Sequence, residues 1–153
     1  MNITKELKGN SLLIHLSGVV DESANLDKTI GTVPAELQVE CSGIVRLNSV
    51  GVKGWIKFFQ GIQQKGTKIR YVNCSSAIVE QFNQISNFSC GGVVESMQIP
   101  FSCAKCKTQF EQVFPSAYVK EKNFEIPDVK CQKCDAQATF DDIPDEYFRF
   151  MMG

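Results

Sequence analysis

The sequence predicts an α/β (α+β) protein, a mixed sheet with helices packed on one face, followed by a small β module held by four cysteines. Three observations predict it. Strand-like stretches come first and then alternate with helical patterns, the order that lays helices against a sheet. Ile44 to Gly66 joins an apolar strand, a polar turn and an amphipathic helix in one run. Cys103/Cys106 and Cys131/Cys134 form two Cys-x-x-Cys pairs separated by residues 107–130. With 153 residues, 43% of them hydrophobic, the chain can bury one sizeable core and carry a small appendage.

Taken in order, residues 3–9 and 11–20 read as two strands joined through Gly9-Asn10. His15 falls on the less buried side of the second strand or is a satisfied core histidine; no nucleophile motif accompanies it. Gly18-Val-Val-Asp21-Glu-Ser23 marks a turn into a short helix capped by Asp21 or Ser23, with Leu26 and Ile30 as its apolar face. Gly31 and Pro34 end that pattern. Residues 36–47 supply the next strand, with an irregularity at Ser42-Gly43.

In the helix that follows, Val52, Trp55, Ile56, Phe59 and Ile62 make one apolar stripe, opposite Lys53, Lys57, Gln60 and Gln64. Gly66 suits the left-handed position beyond a helix end. Asn48 or Ser49 caps the helix start, where free backbone N–H groups also make an anion welcome; cap and phosphate site are both open readings. Residues 67–73 alternate as a strand, and Ser75 or Ser76 caps a helix running to about Asn87. Cys41, Cys74 and Cys90 lie among apolar or small residues and read as small buried hydrophobes.

The N-terminal part resembles a STAS domain, the fold of the bacterial anti-sigma factor antagonists. The resemblance covers roughly residues 3–99, about two thirds of the chain. It rests on Gly18-Val-Val-Asp21, on Ile44-Val-Arg-Leu-Asn48-Ser49-Val50-Gly51 and on Gly66-Thr-Lys-Ile-Arg-Tyr-Val-Asn73-Cys-Ser75. In those antagonists the second segment ends in Asp-Ser-Ser-Gly, and a Ser or Thr after the Asp is phosphorylated. The resemblance implies that Asn48 stands in place of the Asp, Ser49 in place of the phosphorylated hydroxyl, Val50 in place of the second Ser, and that Gly51 matches the Gly. It further implies a protein partner (an anti-sigma-like kinase or another regulator) docking through Asn48, Ser49, Val50, Gly51 and Lys53. A phosphate on Ser49 would act as a switch through its charge of nearly two units.

Residues 100–153 form a second expected unit beside 1–99. Two Cys-x-x-Cys turns facing each other complete an all-thiolate tetrahedral site, so Cys103, Cys106, Cys131 and Cys134 are expected to hold a structural Zn2+ with no open position. The unit resembles a zinc ribbon. Gln109–Phe114 and Lys120–Glu125 are its expected strands, with Pro115-Ser-Ala as a turn and an acidic, aromatic tail behind. Lys105, Lys107, Lys130 and Lys133 flank the cysteines, which supports an alternative function as a nucleic-acid-binding regulator. Asp135, Asp141, Asp142, Asp145 and Glu146 follow closely and oppose it.

The net charge of −1 and pI near 5.8 give no global basic field. The start, MNITKELKGN, lacks a signal-peptide layout, and no apolar run approaches the roughly 20 residues that span a bilayer. Seven cysteines, an odd total, fit a reducing compartment better than a disulfide framework. No phosphate-cradling glycine loop, metalloprotease helix or Ser–His–Asp set is present. The expectation is a cytoplasmic, non-enzymatic regulatory protein without membrane insertion.

Overall fold

The structure, a computed structural model, describes residues 1–152. It is mixed α+β, and its first sheet is the mixed sheet expected. Strands β1 (Asn2–Lys8), β2 (Ser11–Val20), β3 (Glu36–Leu47), β4 (Lys68–Val72) and β5 (Val93–Val94) lie in that sheet in the order β1-β2-β3-β4-β5. β1 and β2 are an antiparallel hairpin through Gly9, while the other neighbours are parallel. Parallel neighbours need crossovers. These are α1 (Leu26–Ile30), α2 (Ser49–Gln64) and α3 (Ser76–Gln84), one between each consecutive pair from β2 to β5.

Burial alternates along the strands. Leu12, Ile14, Leu16, Leu37, Val39, Cys41, Ile69 and Tyr71 are buried, and their neighbours Leu13, His15, Gln38, Glu40 and Arg70 are not. The helices therefore cover one face of the sheet, as the class predicts. Trp55 and Phe59 of α2 and Phe82 of α3 meet Tyr71 there, and Trp55 stacks on Phe88 at 5.0 Å. His15 is on the open face, 3.7 Å from the Glu40 carboxylate.

The irregularity expected at Ser42-Gly43 is a bulge: His15 pairs with Glu40, but Ser17 pairs with Gly43. Glu40 accepts the Ser42 N–H, replacing the lost ladder bond. Gly43 is required there, because a Cβ would collide with Ser17. Cys41, Cys74 and Cys90 are buried, as their apolar settings predict. Hydrogen bonding with Cys74 and burial push the Cys41 thiol well above its ordinary range.

Four local expectations are corrected. The cap of α1 is Asn25, whose side chain accepts from Lys28 N, and Asp21 instead closes a turn on Ser23. α3 stops at Gln84, because Ile85 turns extended. Lys120–Glu125 is not a strand. β7 (Gln109–Pro115) runs into α4 (Ser116–Glu121), with Pro115 as the helix cap rather than a turn. Val119 is wholly buried, Ser116 is tied to the Val94 carbonyl, and Lys120, Glu121 and Lys122 face solvent, an amphipathic turn of helix.

The second sheet has the order β7-β6-β9-β8, all antiparallel, with β6 (Ser96–Cys103), β8 (Val129–Lys130) and β9 (Gln137–Phe140). β6 is a single continuous strand, so the junction of residues 99 and 100 lies inside it. Its start bridges Cys74 through Cys74 N–Ser96 O and Gln98 N–Cys74 O hydrogen bonds, which joins the two sheets. Met97, Ile99 and Phe101 are buried on one side of it. A short helix α5 (Pro144–Tyr147) and a 3-10 turn (Arg149–Met151) then return the chain to α3. There Asn83 donates to Tyr147 O and accepts from Phe150 N, while Phe150 packs 5.3 Å from Phe82. No helix among the described residues is long and apolar enough to cross a membrane.

Candidate functional site

The turn at Asn48 is fixed from three directions. Its N–H donates to Val20 O at 3.1 Å, which continues the β2–β3 contact into the turn. Its side-chain oxygen accepts from Gly51 N at 2.8 Å, so Asn48 is the helix cap. Its side-chain nitrogen donates to the Glu22 carboxylate at 2.8 Å. Gly51 lies against the Val20 carbonyl, and any Cβ there would overlap it. The start of α2 is thus seated on the end of β2.

Because Asn48 does the capping, Ser49 becomes the first helical residue and its exposed side chain has no part in the cap. Val50 beside it is 53% exposed, although valine ordinarily seeks burial. Lys53 is exposed one turn further on, the i+4 neighbour of Ser49. A cavity of about 170 Å³ opens between the loop at Asp21–Asn25 and α2, with Val20, Leu26, Val50 and Phe58 in its wall. Asp21, Glu22 and Asp27 give it an acidic side. The Ser23 hydroxyl and N–H hold the Asp21 carboxyl below its ordinary value. All five residues expected at the turn fall within two helical turns. The acidic loop facing them was visible in the sequence only as a turn.

The second constellation is the cysteine cluster. Cys103 ends β6, Cys106 closes the tight turn after it, and Cys131 and Cys134 do the same after β8. The two turns are built alike. Lys107 N donates to Cys103 O and Asp135 N to Cys131 O, and both Lys107 and Asp135 take the left-handed conformation. Cys103 N and Cys131 N are bound in turn by Thr108 O and Ala136 O. Pairing of Cys103 with Ala138 brings the turns face to face.

The four Sγ atoms all lie within 4.8 Å of one another, with Cys103–Cys134 at 3.5 Å and Cys106–Cys131 at 3.6 Å. A tetrahedron with metal–sulfur bonds of about 2.3 Å has edges of about 3.8 Å, so the four residues can hold a metal ion. Cys103 and Cys131 are buried and Cys106 and Cys134 partly so. The Thr108 hydroxyl and N–H bring the Cys106 thiol down to about 6, which readies one thiolate at neutral pH. Lys133 N lies 3.4 Å from Cys131 Sγ, a further donor to sulfur. Thr108 escaped the sequence reading, since a threonine two residues after a cysteine carries no distinctive pattern. Neither the comparison with protein-family models nor the searches of curated proteins and of solved structures gives a match to this chain.

Proposed function

We propose that this chain is a non-enzymatic cytoplasmic regulator of the STAS-like kind. It binds a protein partner through Asn48–Gly51 and the first turn of α2, with Ser49 as a phosphorylation switch. The observation that carries the proposal is the exposed Ser49–Val50 pair on a frame locked by Asn48 and Gly51. An exposed apolar side chain beside a free hydroxyl on rigid backbone suits a docking surface, because little ordering entropy is lost on binding. A phosphate on Ser49 meets the positive end of a 16-residue helix and Lys53, which favour it. Glu22 is held at the same turn by Asn48, and like-charge repulsion between it and the phosphate would alter the surface a partner reads.

The metal of this proposal is zinc. Four thiolates at tetrahedral spacing favour a soft or borderline ion, and with every position filled by protein the role is structural. The ribbon supports the interface by fixing the end of the first sheet through the Cys74–Met97 bridge.

A native pull-down with wild type, Ser49→Asp and Ser49→Ala, read by mass spectrometry, tests the switch. The expected result is phosphate on Ser49 and a partner held by wild type and Ser49→Ala but lost from Ser49→Asp. Identical partners for all three, with no phosphate on Ser49, would make the turn a plain helix cap. Elemental analysis should find about one zinc per chain. Zinc far below that, with thiols intact, removes the zinc assignment.

A further inference from the structure

We infer that the cysteine cluster is also an oxidation site, which a peroxide converts into two disulfides, Cys103–Cys134 and Cys106–Cys131. Each disulfide ties one turn to the other, so the metal is released while the module stays closed. The placement of the four sulfurs carries the inference. Two Sγ contacts have hydrogen-bonding length, Cys103–Cys134 at 3.5 Å and Cys106–Cys131 at 3.6 Å. Both cross between the turns, and neither lies within a Cys-x-x-Cys pair. A disulfide is about 2.05 Å long, so the sulfurs of each contact have only about 1.5 Å to close.

Each contact also joins a covered sulfur to an accessible one. Cys103 and Cys131, the first cysteine of each turn, are 2% and 3% exposed. Cys106 and Cys134, the second of each turn, are only partly buried and open to a small oxidant. Oxidation therefore begins at Cys106 or Cys134. Its thiolate sulfur attacks the peroxide O–O bond, takes up one oxygen as a sulfenic acid and releases hydroxide. The covered thiolate of the opposite turn then attacks that sulfur, forming the S–S bond as a second hydroxide leaves. Across both contacts, the four thiolates and two peroxide molecules become two disulfides and four hydroxides. The sulfurs give up the four electrons that the peroxide gains. No thiolate is then left to hold the ion. Because the resolving sulfur is already in contact, the sulfenic acid is trapped before a further peroxide carries it to sulfinic acid.

The pairing decides what becomes of the fold. Disulfides within each Cys-x-x-Cys turn would leave the two turns untied once the metal had gone. The cross-turn disulfides close loops of 31 and 25 residues, and a long closed loop is where a disulfide restrains the unfolded chain most. Cys41, Cys74 and Cys90 are buried away from the cluster and stay as thiols.

The test treats chain of full zinc content with about two equivalents of hydrogen peroxide, the amount that two disulfides consume. Released zinc is read with a chromogenic indicator, and the remaining thiols are alkylated in denaturant before trypsin digestion. Lys105 and Lys133 lie inside the two pairs, so cleavage there separates all four cysteines. The expected map shows Cys103 linked to Cys134 and Cys106 linked to Cys131, with zinc release in step. Hydrogen exchange should show β8, β9 and the Cys103 end of β6 still protected, and dithiothreitol with zinc should restore the starting state. Disulfides within the turns, sulfinic acid at Cys106 or Cys134 without a disulfide, or zinc kept through oxidation would overturn the inference. So would loss of protection in β8 and β9 as zinc leaves. The released ion rests on the zinc reading above. Chain found without zinc at the outset strikes that reading, while its disulfide map still decides the pairing.

Discussion

At the residue scale, small side chains at the β3–α2 turn decide geometry. Gly51→Ala forces a methyl onto the Val20 carbonyl, which is backbone and cannot swing aside. The expected cost is about 1–3 kcal/mol, the range for overpacking, measured as a lowered urea midpoint. Asn48→Ala should cost about 1 kcal/mol through the lost cap and also release Glu22. Asn48→Asp should keep the cap and place two carboxylates side by side, so its midpoint should fall with rising pH relative to wild type. Thr108 sets a different property. With Cys106 held at about 6, the metal-free chain carries a thiolate there at neutral pH and loses it on acidification below that value. Cys134 in the same cluster is pushed up to about 11 and must still lose its proton to the metal, so zinc recapture by metal-free chain should slow further as pH falls through 6. Thr108→Val should move that dependence toward higher pH, read by competition with a chromogenic chelator. An unchanged profile would separate Thr108 from the thiol.

At the scale of elements, β6 belongs to both halves of the molecule. Its first residues are bonded to Cys74 and its last is a cysteine of the cluster. Cys103→Ser should therefore unravel the far half of the second sheet and spare the near half. Structural zinc contributes on the order of 10 kcal/mol to small modules, more than so few strands hold by themselves. Hydrogen exchange should show lost protection in β8, β9 and the Cys103 end of β6, with β2, β3 and β4 unchanged. Uniform loss across both sheets would mean the halves fold as one unit. The elements also show where sequence reasoning works. α2 was readable because a period near 3.6 persists over 16 residues between an asparagine cap and Gly66. α4 was misread because six residues are too few to display a period, and its helical state is imposed by Pro115 and the burial of Val119. The two-residue strands β5 and β8 carry no pattern of their own.

At the scale of the molecule, the C-terminal arm, α5 with the 3-10 turn after it, is the clasp between the halves. Asn83 holds it by two hydrogen bonds, and Phe150 lies against Phe82. Asn83→Ala should cost about 2 kcal/mol, roughly 1 for each bond, and raise exchange across Tyr147–Met151 while the sheets stay protected. The acidic residues that follow the second cysteine pair are close to the lysines in sequence. Antiparallel pairing of β9 with β6 carries Asp141 away from the cysteine turns onto Pro100, while Asp135 stays paired with Lys130 and Asp128 lies two residues before that lysine.

By itself the sequence determined the α/β class, the β1–β2 hairpin, an irregularity at Ser42-Gly43 in β3, the long helix, its asparagine or serine cap, and the four cysteines. Each of these follows from interactions within a few residues: periodic burial, capping, turn chemistry and ligand spacing. Only the tertiary structure decided that Asn48 is the cap and leaves Ser49 outside it, since the choice depends on where Val20 and Glu22 lie, more than twenty residues earlier. Only the tertiary structure likewise made β6 a shared strand, turned Lys120–Glu125 from strand to helix end, and laid the C-terminal arm on α3. Those outcomes rest on pairing between distant segments, where burial against a partner surface outweighs local preference.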